Sequence, residues 1–554
     1  MKRDAIVSNV RGVARRLRAA ATARTGIGPS ATLPPGTGRT VIVVGARSAG
    51  GLPDRWRARL ASDTVTVVDE VATLPDVVRR LPALDAVVCL DGAADAASDV
   101  IQATYRAVRG GGRIVIDLAG VADGPTRAAE VADELHRLAD HGTVRQRDLA
   151  ASVSLTEATD THVVVTKRGR HLLAPREAAV VDVLPVREPD VRVSVVEEHP
   201  GGELVSSSVV FSHGEHETDF PTHYDYPPLT LRHYEGPVVA RGRTLMYAGH
   251  TVLPDSFRFH LAQWQKHPFL DPAGDGWHRL RRGRPARNLE GSYYQLESTF
   301  AHHYGHVMAE VVSRLWGWDA AKRADPDVKV FFHRALENPP ARPLERRVFE
   351  AYGIAPDDIV ELDEPVRVDS VFSATPMWHQ HPPFYVHPGM LDTYERLAHG
   401  FTGGDPDGGP AHERIFVSRG EGAVNRTCLN QAEVEAWFAE RGFEVVYPEH
   451  HTLAEQVHLF RKAREVAGFG GSGMFNIVYA RGLEKLVVLN QEAYIARNEH
   501  MFCSLIGAEE HYLWSAPEVA RPDGRFSLES FQGDWRFDFE RNEADLRKAL
   551  GVSR

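Results

Sequence analysis

The chain has 554 residues, of which 43% are hydrophobic and 25% charged, enough apolar material for two to four globular domains. A formal net charge of -11 argues against a general nucleic-acid binder, although an acidic chain can still build a local basic pocket for a phosphate. Cys89, Cys428 and Cys503 are too few and too scattered for a disulfide framework or a metal-ligand spacing, which predicts a reducing, cytoplasmic compartment.

No run of about 18 apolar residues predicts a membrane-spanning helix, and the basic N-terminus lacks the apolar stretch of a signal peptide. Residues 1–38 read as a basic arm and linker. Ile6, Val10, Val13 and Leu17 recur at helical spacing, with Arg11, Arg15, Arg16 and Arg18 among them. That pattern suits a helix lying on the inner face of an anionic membrane, and equally a short helix docked on the protein or a disordered arm. Gly26 to Gly38 is rich in Pro, Gly and Ser, as linkers are.

Residues 39–170 alternate strand and helix patterns. Thr40–Val44, Thr64–Asp69, Asp85–Leu90 and Arg113–Leu118 are buried-strand patterns separated by helical stretches, and His162–Thr166 adds a late strand. This is the grammar of a doubly wound parallel sheet. Residues 171 to about 290 carry short strands and many turns, and predict a β-rich entry into a second domain ending near residue 400. From Arg414 the alternation returns, defining a third unit over 410–554. Its strands are Arg414–Val417, Phe443–Tyr447, Glu465–Gly468 and Lys485–Leu489. A helix opens at Thr452 with the T-x-x-E of a capping box, and Leu453, Val457 and Phe460 form its inward stripe.

Three features carry chemistry. The first is GFGGSGMFN, Gly468 to Asn476, between a predicted strand and a predicted helix. A helix N-terminus offers unpaired N–H groups and partial positive charge, and Gly471 and Gly473 let a diphosphate approach the backbone, with the Ser472 hydroxyl as a further donor. A tight turn without a ligand explains the glycines as well. The second is Arg419, which follows a strand end, with Arg426 before the next helix. Ligands of doubly wound sheets lie beyond such strand ends, and guanidinium groups there neutralise a departing diphosphate; surface arginines are the plainer alternative. The third is TFAHHYGHVMAEVVSRL, residues 299–315, a predicted helix with His302, His306 and Glu310 at four-residue intervals on one face. A histidine and carboxylate so placed can act as base and orienting group. A metal site from the same three residues and a structural histidine are the rivals. The histidines at 379, 381 and 387 read as loop structure, as do His450 and His451, although His450 follows a strand end near the predicted pocket.

These pieces, in this order, resemble glycosyltransferase family 61. YGHVMAEVVSRL matches its helix motif at His306, Glu310, Arg314 and Leu315. VSR ends at Arg419, and RTCLNQAE supplies Arg426, Asn430 and Glu433. GFEVVYPEHHTLAEQVHLFRKA contributes Glu449, Glu455 and Gln456, and VAGFGGSGMFN keeps Gly471, Gly473 and Asn476. Gly470 stands where the family has a histidine, and Met474 where it has leucine. The resemblance implies a GT-B type pair of Rossmann-like domains. It also implies inverting transfer from a nucleoside-diphosphate sugar, most simply a UDP-sugar, to a glycan-type acceptor in surface or capsular polysaccharide synthesis. No metal or other cofactor is required. The implied catalytic pair is His306 with Glu310. The implied donor-binding set is Arg419, Arg426, Asn430, Gly471, Ser472, Gly473 and Asn476, with Asn430 and Glu433 also readable as a helix cap and its partner.

The first unit resembles a class I S-adenosylmethionine-dependent methyltransferase. Asp69 ends its second strand, and AVRGGGRIVIDL resembles the stretch entering the fifth strand of such enzymes. Its first loop, Gly45 to Gly50, lacks the tight GxGxG, and Arg47 crowds the cofactor's place. A degenerate domain that does not use S-adenosylmethionine is expected. The fold class is therefore α/β, a methyltransferase-like Rossmann domain followed by two Rossmann-like glycosyltransferase domains. Methyl transfer by the first unit, or binding without catalysis, are the alternatives.

Overall fold

The computed structural model describes residues 33, 38–46, 51–90, 96–119, 121, 123–213, 219–334, 343–410, 412–420 and 425–552. The basic arm, apart from Leu33 and Gly38, and residues 47–50 of the first loop, lie outside them. No helix among the described residues is long and apolar enough to cross a membrane.

Three sheets organise the chain. The first has six strands, in the order Thr64–Val68, Thr40–Val44, Leu84–Cys89, Val108–Asp117, His162–Lys167, Val153–Ala158. The first four are parallel and the last two turn back as an antiparallel hairpin. Continuous Val and Ile runs suit strands buried on both faces, and Val41 to Val44, Val87, Val88 and Ile114 to Ile116 are fully buried. At the carboxyl end of the fourth strand, Asp117 accepts hydrogen bonds from Arg55, at 2.8 Å, and from the indole N–H of Trp56.

The middle sheet, of 11 strands, is larger than a simple Rossmann unit. Val366–Ala374, Arg287–Gln295, Lys329–His333 and Ile359–Leu362 are parallel. The long strand Leu229–Gly242 joins them antiparallel and leads into the β-rich part drawn from residues 171–280. The first domain is fastened to this part. Arg187 is 1% exposed and donates to the carbonyls of Val78 and Leu81, both at 2.8 Å, while Arg106 donates to those of Ala273 and Gly274.

The third sheet is wholly parallel, in the order Val209–His213, Glu509–Ser515, Lys485–Gln491, Glu465–Phe469, Arg414–Val417, Glu444–Val446. Its edge strand, Val209–His213, comes from the connector, two hundred residues before the rest. Sequence pattern placed that segment with the second unit because strand pairing over such a separation leaves no local trace. The capping box at Thr452 forms, and Leu453, Val457 and Phe460 are buried as its stripe requires. One apolar core runs from the middle sheet into the third: Trp378 packs on Phe502 at 4.5 Å, Phe475 on Phe502 at 4.9 Å, and Tyr394 on Tyr479 at 5.7 Å.

The middle part also buries histidines as neutral groups. Burial pulls His260 down to about 3, and His267, His278 and His379 down to about 4. The unfolded chain protonates these rings below about pH 6.5, whereas the folded chain takes the protons only near pH 3 to 4. Stability is therefore complete above pH 6.5 and is lost as pH falls through that window, by about 1.4 kcal/mol per pH unit for each ring. The urea midpoint is expected to drop markedly between pH 7.5 and 5.0; equal midpoints would show that the rings are not buried neutral.

Candidate functional site

Three adjacent parallel strands of the third sheet end side by side, which sets the floor of the site. Arg414–Val417 runs into Ser418 and Arg419, Glu465–Phe469 into Gly470 and Gly471, and Lys485–Gln491 carries Asn490 near its end. Gly471 has φ 154°, a region that favours glycine, and opens the 3₁₀ helix Ser472–Tyr479. A Cβ on Gly473 would lie 3.2 Å from Val417 Cγ1, so the helix start sits close on the neighbouring strand.

Arg419 and Arg426 meet over this floor. A Cβ on Gly471 would stand 3.7 Å from Arg426 Nη2. Arg426 has φ 52°, strained for a side chain of its size, and is held there by two bonds: its N–H donates to the Gln532 carbonyl at 2.8 Å, and the Trp535 indole donates to its own carbonyl at 3.2 Å. Among the described residues its buried Nε has no hydrogen-bond partner. Arg419 donates to Asn425 at 3.1 Å, and burial together with the charge of Arg426 pulls it down to about 10. Neither arginine forms an ion pair among the described residues. The carboxylates nearby are engaged with backbone. Glu449 accepts from the Gly420 N–H, and Glu499 accepts from the Gly471 N–H at 2.6 Å. Burial pushes Glu499 up to about 7.

The middle domain supplies the opposite wall. The helical run begins at Tyr304, later than sequence pattern predicts, with a π turn over Val307–Val311 and a 3₁₀ stretch over Val312–Gly317. Backbone carbonyls in this irregular run accept from tyrosine hydroxyls, Met308 from Tyr394 and Arg314 from Tyr294, both at 2.5 Å. His306 Nδ1 lies 2.7 Å from Glu310 Oε1. Arg258 Nε donates to the same oxygen at 2.6 Å, and Gln380 Nε2 at 3.3 Å. Burial raises the Glu310 carboxyl, but Arg258 and the His306 bond outweigh it and hold Glu310 below its ordinary range. Phe300 stacks on His306 at 4.4 Å.

His302 does not share this face, contrary to the four-residue spacing. It precedes the helix with φ 62°, and its ring and backbone N–H both bind Glu345, at 2.6 and 2.7 Å. The trio His302, His306 and Glu310 is therefore not gathered for a metal. His303 points into the cleft instead: it packs on His306 at 4.7 Å, and burial, then the charge of His306, with Arg426 among the smaller contributors, lower its pKa.

The two walls are pinned together. A Cβ on Gly305 would lie 2.9 Å from Ser472 Cβ. Tyr304 donates to Asn476 Oδ1 at 2.8 Å, and Asn476 donates to Gln456 and to the Gly473 carbonyl, both at 3.1 Å. Asn476 is 1% exposed, so its amide joins the domains rather than facing the cleft. Asn430 occupies the helix N-cap position without a side-chain cap bond. Its amide holds Glu433 at 3.0 Å and the Phe537 backbone at 2.8 and 3.0 Å. Ser472 and Gly473 are half-buried at the cleft, and His450 stacks on Tyr447 at its rim. Arg258, Gln380, Glu499 and Asn490 had no sequence signal. His303 had one, its place in the HHYGH run.

A Cβ on Gly470 would lie 2.6 Å from Asn490 Nδ2 and 2.9 Å from its Cγ. The room that a histidine at 470 needs is filled by the Asn490 amide, which is 3% exposed.

The cleft between two sheets thus sets paired arginines at a helix start opposite a histidine–carboxylate pair. In the family comparison, residues 304–487, about a third of the chain, match the Glycosyltransferase 61 family. Among curated proteins none matches the chain at a significant level. Solved structures with local likeness include the MycE methyltransferase of the mycinamycin biosynthetic pathway, 15% identical over 24% of this chain and 41% of that one, TM-score 0.18. Another is an O-methyltransferase family protein from Burkholderia thailandensis, 18% identical over 30% and 58%, TM-score 0.15. The chain thus spans less than two thirds of either relative, and overlaps this small carry no argument about chemistry.

Gly470→His is expected to cost roughly 1–3 kcal/mol through overpacking, and the double variant Gly470→His, Asn490→Gly to recover most of it. Urea unfolding of wild type and both variants checks this; a double variant no more stable than the single one would mean that Asn490 is not the obstacle.

Proposed function

We propose that the cleft transfers a sugar from a nucleoside-diphosphate donor, a UDP-sugar in the simplest case, to a hydroxyl of a glycan-type acceptor, with inversion and without a metal. The observation that carries this is the pair Arg419 and Arg426, half-buried, mutually repelling and without a salt-bridged carboxylate among the described residues, the nearby Glu449 and Glu499 being bonded to backbone N–H groups. Two cations so placed are costly unless an anion completes them. A diphosphate bound there lies on the N–H groups of Ser472 and Gly473 at the helix start, where partial positive charge adds to the arginines. Charge that develops on the leaving diphosphate is then met by groups already oriented.

His306 acts on the acceptor. Its Nδ1 faces Glu310, so Nδ1 carries the proton and Nε2 is left to take one from the attacking hydroxyl. Glu310, kept charged by Arg258, stabilises the imidazolium that results. The two Rossmann-like units then stand as a GT-B pair with donor below and acceptor above. Surface or capsular polysaccharide synthesis on the cytoplasmic side of the membrane is the setting we propose, with the basic arm as the membrane contact.

Calorimetric titration with UDP, UDP-sugars, other nucleotide sugars and S-adenosylmethionine tests this reading. A nucleotide sugar is expected to bind, at least tenfold more weakly in Arg419→Ala and Arg426→Ala. His306→Ala is expected to keep binding and lose roughly a hundred- to ten-thousand-fold in kcat. Binding of S-adenosylmethionine alone would move the chemistry to the first domain.

A further inference from the structure

Arg426 has a second set of neighbours that a diphosphate does not use. Its guanidinium lies 4.4 Å from the ring centre of Tyr494 and 5.5 Å from that of Phe531. Those two rings touch at 5.1 Å, and Phe526 follows Phe531 at 5.7 Å. The rings run from the half-buried cation outward to solvent. Phe526 and Leu528 are each 59% exposed, and Ile495, next to Tyr494 in the chain, is 41% exposed. The outer ring of this run, Phe526, therefore presents a free aromatic face at the end of a series that begins at a cation.

The shelf is built rather than loose. The segment carrying Phe526 and Phe531 is tied to the third sheet: Gln491 Nε2 donates to the Ser530 carbonyl at 2.9 Å, and Ser530 Oγ to that of Ala520 at 2.9 Å. It is tied to the anion site by the bond from Arg426 N–H to Gln532. Cation and shelf therefore keep a fixed separation.

We infer that this shelf is the nucleobase subsite of the donor. The base stacks on Phe526, and the ribose and α-phosphate lead back past Phe531 to Arg426. This rests on the donor-site reading above. A nucleoside diphosphate is flat and apolar-faced at one end and anionic at the other, and the shelf offers a flat ring and a cation in the same sequence. Stacking on one phenyl face tolerates any base, so discrimination among bases is expected to be slight.

The test is calorimetry of the full chain with UDP, GDP, ADP and inorganic pyrophosphate. Wild type is expected to bind the nucleoside diphosphates more tightly than pyrophosphate. Phe526→Ala, at an exposed position that folding does not need, is expected to weaken the best nucleotide about tenfold and to leave pyrophosphate within twofold. Phe526→Trp is expected to retain the nucleotide, and Arg426→Ala to weaken both ligands. Equal effects of Phe526→Ala on nucleotide and pyrophosphate, or no effect on either, would overturn the subsite. So would a wild type that binds pyrophosphate as tightly as any nucleotide, although the anion site would then stand. Binding of neither by wild type would defeat the donor site itself.

Discussion

Ser472 leaves no room for a side chain at residue 305, and that contact fixes the site. It brings the start of the helical run at Tyr304 against the start of the helix at Ser472, so elements from two different sheets share one junction. The Tyr304–Asn476 bond sets the rotation of one about the other, and the continuous core behind them, through Phe475, Phe502 and Trp378, prevents the two from sliding. His306 and Arg426 then face the same cleft although they belong to different units.

Charge is arranged across that junction in two unequal ways. On the middle-sheet side each ion is balanced: Glu310 sits between His306 and Arg258, and Gln380 adds a neutral donor. On the third-sheet side the balance is left open. Arg419 and Arg426 repel one another, while Glu499 is turned to the Gly471 backbone and is pushed by burial toward its neutral form. A closed network suits a group that must keep one orientation through a reaction, whereas an open one suits a ligand that arrives with its own charge.

Much of this was legible in the residues. The parallel strands of the first and third sheets follow from uninterrupted Val and Ile runs, and the capping box at Thr452 from four residues in a row. The glycine loop and both arginines follow from strand ends in a doubly wound sheet. The limits have physical causes. A four-residue spacing predicts one face only where the backbone is an α-helix from the first residue, and His302, at φ 62°, precedes it. His303, one position along, turns into the cleft. Arg258 and Gln380 reach Glu310 from 52 and 70 residues away, and Glu499 reaches Gly471 from 28. Contacts of that range are written in the tertiary fold, not in any local pattern. Asn476 and Asn430 fit a ligand-binding motif by position, yet their amides are engaged in joining segments of the protein.

The strand Val209–His213 makes the third sheet discontinuous in the gene. Residues 410–554 taken alone lack an edge, and the exposed flank of Glu509–Ser515 would be open to pairing with other chains. Recombination that swapped the terminal segment alone would separate five strands from their sixth. The third sheet is thus inherited together with the segment that builds the middle one, and changes at its strand ends are more readily reached by point substitution than by shuffling whole modules.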